Sequence, residues 1–156
     1  MELSNKVLDI LTEYDYKIAF AESVTGGALV SELVKNSGAS NVLSYSVVTY
    51  SKAAKRDYLE IPEMLFDIHG VVSKVISIEM ANQIKQIAKA DIGVGITGNA
   101  GPTALDNSSV GEIWFSINYR DEVFSYHIQL RQNERQAMIE DAVKVVYQML
   151  YKLLSK

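Results

Sequence analysis

Cysteine is absent from this 156-residue chain, which excludes disulfides, thiolate catalysis and cysteine-ligated zinc. Histidine is nearly absent as well. Neither His69 nor His127 has another histidine at the spacing of a metal-binding pair. We therefore expect no metal site, and we expect the protein to work without a cofactor.

Long hydrophobic runs are also missing, whereas a membrane-spanning helix needs about 20 apolar residues. Residues 1–9 are polar and of mixed charge, unlike the basic and then apolar start of a signal peptide. The formal net charge of -4 lacks the basic excess of nucleic-acid-binding domains. These absences predict a cytoplasmic protein that binds neither membranes nor nucleic acids.

The composition that remains is typical of a folded globular domain. Hydrophobic residues make up 48% of the chain and charged residues 22%. A chain of 156 residues suits one domain with a substantial core and is short for two. We predict a single domain over residues 1–156.

Hydrophobic periodicity predicts helices that alternate with strands. Serines at positions 4, 51 and 73 are expected to cap the helices that follow them. The second of these helices, through Lys55, should stop before Pro62, and His69 is expected in a loop. The first predicted helix begins at residue 4 and carries Val7, Leu8 and Leu11 on one face. The other predicted helices lie at residues 27–36, 51–59, 73–90 and 133–154, and the predicted strands at 17–21, 43–50, 92–96, 112–119 and 122–130.

This order of elements predicts the α/β class, with a three-layer α/β/α sandwich around a mixed sheet. Ligands in such folds bind beyond the carboxyl ends of the strands. Polar turns follow three predicted strands, after Ala21, at Tyr50 and after Ile96, and the first and third of them are rich in glycine. We therefore predict the functional site at these three strand ends.

The first of these turns is Glu22-Ser23-Val24-Thr25-Gly26-Gly27. A serine between a buried strand and a helix is held rigidly, and the free N–H groups of the first helical turn can bind a phosphate or an oxyanion. The two glycines allow a ligand to approach the backbone closely. The alternative is that Ser23 or Thr25 is an ordinary helix cap and that the glycines serve packing.

A serine nucleophile needs a base, and neither histidine follows a strand end of the right kind. A lysine can act as the base when burial or nearby positive charge lowers its pKa. Lys52 and Lys55 lie just after the strand that ends in Tyr50. The alternative is that both are solvated lysines on an exposed helix, and spacing does not separate the two interpretations.

The turn after Ile96 can cradle a phosphate or a ribose with its small residues and backbone donors, or it can be a tight connection to the hairpin. It matches neither a Walker loop nor the dinucleotide fingerprint, which disfavours ATP and NAD. Arg131 and Arg135 stand four residues apart at the start of the last helix. They either grip an anion or are surface charges. Trp114 and the tyrosine-rich strands serve either the core or contacts within a homo-oligomer.

Several segments in this order resemble the CinA C-terminal domain family, whose characterised members hydrolyse the amide of nicotinamide mononucleotide. The resemblance extends over essentially the whole chain. The matching segments are Ala21-Glu22-Ser23-Val24-Thr25-Gly26-Gly27, Gly38-Ala39-Ser40, Val48-Thr49-Tyr50-Ser51-Lys52-Ala53-Ala54-Lys55, His69-Gly70-Val71-Val72-Ser73, Met80-Ala81, Thr97-Gly98-Asn99-Ala100-Gly101-Pro102 and Val110-Gly111.

The resemblance implies that this chain is a bacterial amidohydrolase of pyridine nucleotide salvage. Its substrate would be a small nucleotide. Ser23 would be the nucleophile, Lys55 its general base, and Tyr50 would lie beside them. Either Arg131 or Arg135 would contact the substrate phosphate. The other implied substrate contacts come from the first and third turns: Glu22, Thr25, Gly26, Gly27, Thr97, Gly98, Ala100 and Gly101.

The chain departs from the family pattern in four places. Val24 stands where cysteine is frequent, Asn99 where an aliphatic residue is usual, and Glu112 where a small residue is usual. Residues 104–109 lack the glycine pair and the Lys-Pro that commonly precede Val110. Two alternatives to the deamidase therefore stay open: a catalytically silent nucleotide-binding module, as in competence or DNA-damage physiology, and an amidase for another small carboxamide.

Overall fold

The computed structural model describes residues 2–103 and 108–156. Within these residues, six α-helices and one short 3-10 helix alternate with five strands. In chain order they are α1 (Glu2–Tyr14), β1 (Ile18–Glu22), α2 (Ala28–Val34), the 3-10 helix (Ala39–Asn41), β2 (Leu43–Val48), α3 (Lys52–Tyr58), α4 (Glu63–His69), α5 (Lys74–Ala88), β3 (Ile92–Gly98), β4 (Glu112–Tyr119), β5 (Glu122–Gln129) and α6 (Arg135–Leu154).

The five strands form one mixed sheet in the order β2-β1-β3-β4-β5. β1 lies between β2 and β3 and runs parallel to both. β4 is antiparallel to β3 and to β5. Since β1, β2 and β3 point the same way, their carboxyl ends meet at one edge of the sheet.

Helices cover both faces of this sheet because β1 alternates between two apolar cores. Ile18 and Phe20 pack with buried residues of α1, α2 and α6. Ala19 and Ala21 pack on the other face with Leu59, just after α3, and with buried residues of α4 and α5. The predicted α/β class and the three-layer α/β/α arrangement around a mixed sheet are confirmed.

Two glycines in β3, Gly93 and Gly95, set the distance between the sheet and α5. A Cβ at Gly93 would lie 2.3 Å from the Ala81 carbonyl oxygen, and one at Gly95 would lie 2.5 Å from the Ala81 amide nitrogen. Both separations are below any contact that real Cβ atoms make. Helix α5 therefore packs directly on the backbone of β3.

Most predicted elements are present, with two exceptions near the amino terminus and around Pro62. Ser4 is not an N-cap: it lies inside α1, is fully buried, and donates a hydrogen bond to Glu32 at 2.9 Å. The segment after Pro62 is not a loop up to His69, because α4 forms there and His69 is its last residue. Helix α4 has only seven residues, which is too short for hydrophobic periodicity to predict a helix.

The two other predicted caps form. The Ser51 hydroxyl accepts a hydrogen bond from the Ala54 amide at 3.0 Å, and the Ser73 hydroxyl accepts one from the Ile76 amide at 3.3 Å. The predicted hairpin turns at Arg120 and Asp121, which have φ angles of 54° and 62°. Two successive positive φ angles are the geometry that a two-residue hairpin requires.

No helix in the described ranges combines the length and the apolar character needed to cross a membrane.

The close packing of α5 on β3 predicts a large loss of stability in Gly95→Ala. Its Cβ would collide with backbone atoms, which cannot rotate away, so we expect a loss of about 3 kcal/mol or more in the free energy of unfolding. Gly38→Ala is the control, because Gly38 has a positive φ of 92° but no contact under 3.8 Å. That change should cost only about 1 kcal/mol from backbone strain. Urea unfolding followed by circular dichroism measures both, and equal losses would contradict the packing argument.

Candidate active site

A cavity of about 370 Å³ opens at the carboxyl ends of β1, β2 and β3. This volume is at the lower end of the range for small-molecule sites. All three strand ends that the sequence singled out contribute to its wall. The residues that line it are Ser23, Val24, Tyr50, His69, Gly70, Val71, Val72, Thr97, Gly98, Asn99, Ala100, Gly101, Thr103, Ser108 and Arg135.

Ser23 lines this cavity and is in direct contact with Lys55, which does not itself line the cavity. The Nζ atom of Lys55 lies 2.7 Å from the Oγ atom of Ser23. Ser23 directly follows the end of β1, whereas Lys55 belongs to α3 and comes 32 residues later in the chain. This distance allows a proton to pass between the hydroxyl and the amine.

The position of Lys55 follows from how α3 is built. Ser51 caps the helix, and the Lys55 amide donates to the Ser51 carbonyl oxygen at 3.1 Å, so the helix direction is fixed one turn before the lysine. Lys55 is fully buried, with 0% of its surface exposed. Burial lowers the pKa of Lys55 from the usual 10.5 to about 8. About a tenth of the amines are then neutral at pH 7.

Tyr50 contributes its backbone to this pair and its side chain to the rim. The Tyr50 carbonyl oxygen accepts from Lys55 Nζ at 3.1 Å and from Ser23 Oγ at 3.3 Å. Its phenol is 58% exposed and accepts a hydrogen bond from the Arg135 guanidinium at 2.5 Å. The residue was predicted beside the serine and the lysine, and its carbonyl oxygen is the atom that lies there.

The structure does not support the substrate contacts predicted for Glu22, Thr25, Gly26 and Gly27. None of them lines the cavity. The Glu22 carboxylate is fully buried and accepts hydrogen bonds from the Thr25 hydroxyl at 2.6 Å and from the Gly27 amide at 3.2 Å. The N–H groups that were assigned to a ligand are therefore bound to a side chain of the protein itself.

The third turn does line the cavity, as predicted for Thr97, Gly98, Ala100 and Gly101. The Thr97 hydroxyl donates to the Val71 carbonyl oxygen at 3.1 Å, which ties the loop before α5 to the end of β3.

Asn99 gives this turn its shape. Its side-chain oxygen accepts from the Gly101 amide at 2.9 Å, and its side-chain nitrogen donates to the Thr103 carbonyl oxygen at 3.1 Å. The asparagine, where the family usually has an aliphatic residue, therefore has a local structural role here. Residues 104–107 of the altered segment lie outside the described residues.

The structure separates the two candidate arginines. Arg135 opens α6 and lines the cavity, with hydrogen bonds to the Gly101 carbonyl oxygen and to the Tyr50 phenol. Arg131 lies before the helix, is exposed, and does not line the cavity. Both were expected at the start of the last helix, but only Arg135 is part of it, because the helix begins at residue 135.

Sequence reasoning about individual residues missed one wall of the cavity, formed by residues 69–72. Helix α4 brings His69 to the rim, and the hydrogen bond from Thr97 holds Val71 in place. The segment His69-Gly70-Val71-Val72 was already among those that resemble the family, and this was the signal that could have identified it.

Apolar and neutral polar groups make up most of the wall, with Arg135 as the one Arg or Lys among the described lining residues. Within residues 2–103 and 108–156, no three His, Asp or Glu side chains are grouped so that they could hold a metal ion. The arrangement offers a hydroxyl nucleophile, a neighbouring amine of lowered pKa and a cation at the rim. This combination suits acyl transfer on a small substrate that carries an anionic group.

Comparisons with known proteins assign the family. The CinA C-terminal domain model matches residues 1–154, and the chain belongs to this family. "Protein MG115" of Mycoplasma genitalium is 31% identical over 153 residues, which cover 98% of each chain. A CinA superfamily protein from Klebsiella pneumoniae, known from its crystal structure, has 30% identity and a TM-score of 0.94, covering 99% of this chain and 96% of that one.

Other relatives are longer than this chain. A "Putative competence-damage inducible protein" of Lysinibacillus sphaericus is 40% identical over 120 residues, which cover 77% of this chain and 29% of the relative. The protein of the same name from Bacillus cytotoxicus is 30% identical, and the match covers 37% of it. The chain thus spans about three to four tenths of the length of these curated relatives.

The burial of Lys55 predicts that Lys55→Met stabilises the fold. At pH 7 we expect its free energy of unfolding to be about 2 kcal/mol higher than that of the wild type, because the folded chain no longer has to desolvate an amine. In the wild type the unfolded chain binds more protons than the folded chain between about pH 8 and 10.5. Wild-type stability should therefore rise with pH over this range, relative to the variant.

Urea unfolding at pH 7, 8, 9 and 10 measures both effects. Lys52→Met is the control, because Lys52 is on the same helix with a 41% exposed side chain and should show neither effect. A Lys55→Met protein that is less stable than the wild type, with an unchanged pH slope, would contradict the argument from burial.

Proposed function

We propose that this protein is an amidohydrolase that converts nicotinamide mononucleotide to nicotinic acid mononucleotide and ammonia, with Ser23 as nucleophile and Lys55 as general base. The observation that carries the proposal is the 2.7 Å contact between Ser23 Oγ, whose residue lines the cavity, and the buried amine of Lys55. Membership of the CinA C-terminal domain family supports it.

Acylation begins when the neutral Lys55 amine takes the proton of the Ser23 hydroxyl as Oγ attacks the carboxamide carbon. A tetrahedral intermediate forms. The protonated amine then returns its proton to the departing nitrogen, the C–N bond breaks, and ammonia leaves. The Tyr50 carbonyl oxygen, 3.1 Å from Lys55 Nζ, keeps the amine directed at the serine through both transfers.

Deacylation repeats the same proton transfers with water. Lys55 takes a proton from the water that attacks the ester carbon, and returns it to Ser23 Oγ as the C–O bond breaks. The carboxylic acid leaves, and both side chains regain their starting state. One amine therefore serves as base and acid in each half of the reaction.

Arg135 is the residue we assign to the substrate phosphate. Its present partners, the Tyr50 phenol and the Gly101 carbonyl oxygen, are neutral oxygens. A phosphate is a stronger partner for a guanidinium than either of them, so a phosphorylated substrate can replace them. The glycine-rich turn that ends at Gly101 would lie along the ribose.

Two observations support two other candidates: an amidase for a different small carboxamide, and a silent nucleotide-binding module. Among the described lining residues, Arg135 is the one side chain with a permanent positive charge, and the family's frequent lysine before Val110 is absent from the sequence. A panel of carboxamides with and without phosphate, assayed for ammonia, identifies an amidase of other specificity. Thermal stabilisation by nucleotides without ammonia release would identify a binding module.

For the proposed mechanism we expect Ser23→Ala and Lys55→Ala each to lower kcat/KM for nicotinamide mononucleotide by about a thousandfold or more. The first removes the nucleophile and the second removes the base. A coupled ammonia assay on purified protein measures the loss. Lys52→Ala serves as the control, since its side chain pairs with Glu63 at 3.2 Å on the exposed side of the same helix, and its activity should stay within about twofold of wild type. Turnover that survives in a folded Ser23→Ala protein would refute the mechanism.

The lowered pKa of Lys55 predicts the pH dependence of the reaction. Only the neutral amine can accept the serine proton, so kcat/KM should rise about tenfold per pH unit in the acid range and level off above a midpoint near pH 8. Initial rates of ammonia release from pH 5.5 to 9.5 in constant ionic strength test this. A rate that still rises about tenfold per pH unit at pH 9.5, as the usual lysine pKa of 10.5 requires, would mean that Lys55 is solvated during turnover.

A further inference from the structure

We propose that Glu22 is a positioning residue, whose buried carboxylate fixes the turn that carries Ser23 without touching the substrate. This inference deepens the proposed function and depends on Ser23 being the nucleophile. It replaces the substrate contact that the family resemblance implied for this glutamate.

The carboxylate of Glu22 is fully buried and has four hydrogen-bond donors around it. Its Oε1 atom accepts from the Thr25 hydroxyl at 2.6 Å, the Gly27 amide at 3.2 Å and the Leu29 amide at 2.9 Å. Its Oε2 atom accepts from the Val30 amide at 3.0 Å. Three of the four donors are backbone groups, which cannot rotate away from the carboxylate.

Ser23 is thereby held between two fixed points. On one side, the Glu22 backbone belongs to β1, where it is paired with Val48 and Ile96, and its carbonyl oxygen accepts from the Thr49 amide at 2.8 Å. On the other side, the Glu22 side chain is bound to the start of α2. The same residue therefore anchors both ends of the segment that carries the nucleophile.

The turn between these anchors has a shape that depends on glycine. Gly26 and Gly27 have φ angles of +57° and +105°, which glycine adopts at little cost. The Gly26 amide donates to the Ser23 carbonyl oxygen at 3.0 Å. Such a turn brings the Gly27 amide to the Glu22 carboxylate while the Ser23 side chain contacts Lys55.

The geometry argues against Glu22 as a charge partner of Lys55. No ion pair joins the two side chains within 4.0 Å, and the pKa of Lys55 is lowered by burial alone. Loss of the Glu22 carboxylate should therefore move Ser23 rather than change the protonation of the base. The expected signature is a lower kcat at an unchanged pH midpoint.

The test is Glu22→Gln, which keeps the shape but presents an NH₂ group to N–H donors. A displacement of about 1 Å at a reacting atom costs up to about a hundredfold in rate. We expect kcat to fall by about tenfold to a hundredfold, KM to stay within about twofold, and the pH midpoint to stay near 8. Tyr147→Phe is the matched control. It removes the 2.5 Å hydrogen bond from the Tyr147 hydroxyl to the Leu29 carbonyl oxygen, loosening α2 without touching the turn, so its kcat should stay within about twofold of wild type.

Thr25→Val is a second variant, in case Glu22→Gln does not fold. It removes one of the four donors and leaves the three backbone donors, so kcat should fall by about threefold with KM unchanged. A raised KM with an unchanged kcat in either variant would show a substrate contact and overturn the proposal. A kcat loss in Tyr147→Phe as large as in Glu22→Gln would overturn it as well, because general loosening of α2 would then explain both.

Labelling of Ser23 by a fluorophosphonate, followed by intact mass, separates this proposal from the proposed substrate. If the wild type is labelled but releases no ammonia, the proposed reaction fails. Glu22 is then confirmed as a positioning residue if Glu22→Gln labels about tenfold more slowly than Tyr147→Phe. Equal labelling rates of these two variants, or no labelling of the wild type, would overturn the Glu22 proposal.

Discussion

The contact between a buried lysine amine and a serine hydroxyl is the interaction on which the candidate site depends. Removing a lysine amine from water lowers the free energy of unfolding. Lys55 is fully buried against Ser23 and the Tyr50 carbonyl oxygen. The same burial that costs stability lowers the pKa of the amine to about 8. Stability and reactivity are thus opposed at one residue, as is common where a fold builds an active site.

The surrounding fold can be understood as the means of holding that contact. Three parallel strands end at one edge of the sheet, where Ser23 and Tyr50 follow β1 and β2 and Thr97 lies near the end of β3. A serine cap directs the short helix α3 so that its lysine reaches the neighbouring strand end. A buried glutamate ties the first strand to the helix that follows. None of these supporting groups has to meet a ligand in order to matter for the chemistry.

Two polar side chains of the cavity wall are bound to other parts of the chain. The Asn99 side chain forms hydrogen bonds with the backbone of Gly101 and Thr103. It therefore stabilises the shape of the loop that follows it. Arg135 joins three separate parts of the chain at the rim, through the Tyr50 phenol and the Gly101 carbonyl oxygen.

The sequence by itself determined the α/β class, most elements, the Ser51 and Ser73 caps, and the three strand ends where the cavity lies, because periodicity and capping are local properties. The resemblance to the family supplied the pairing of Ser23 with Lys55. Only the tertiary structure decided that Glu22 points into the protein, that α4 brings His69 to the rim, and that Arg135 rather than Arg131 lines the cavity. These outcomes depend on where a helix begins and which donors surround a side chain, and such facts arise from contacts between residues far apart in sequence.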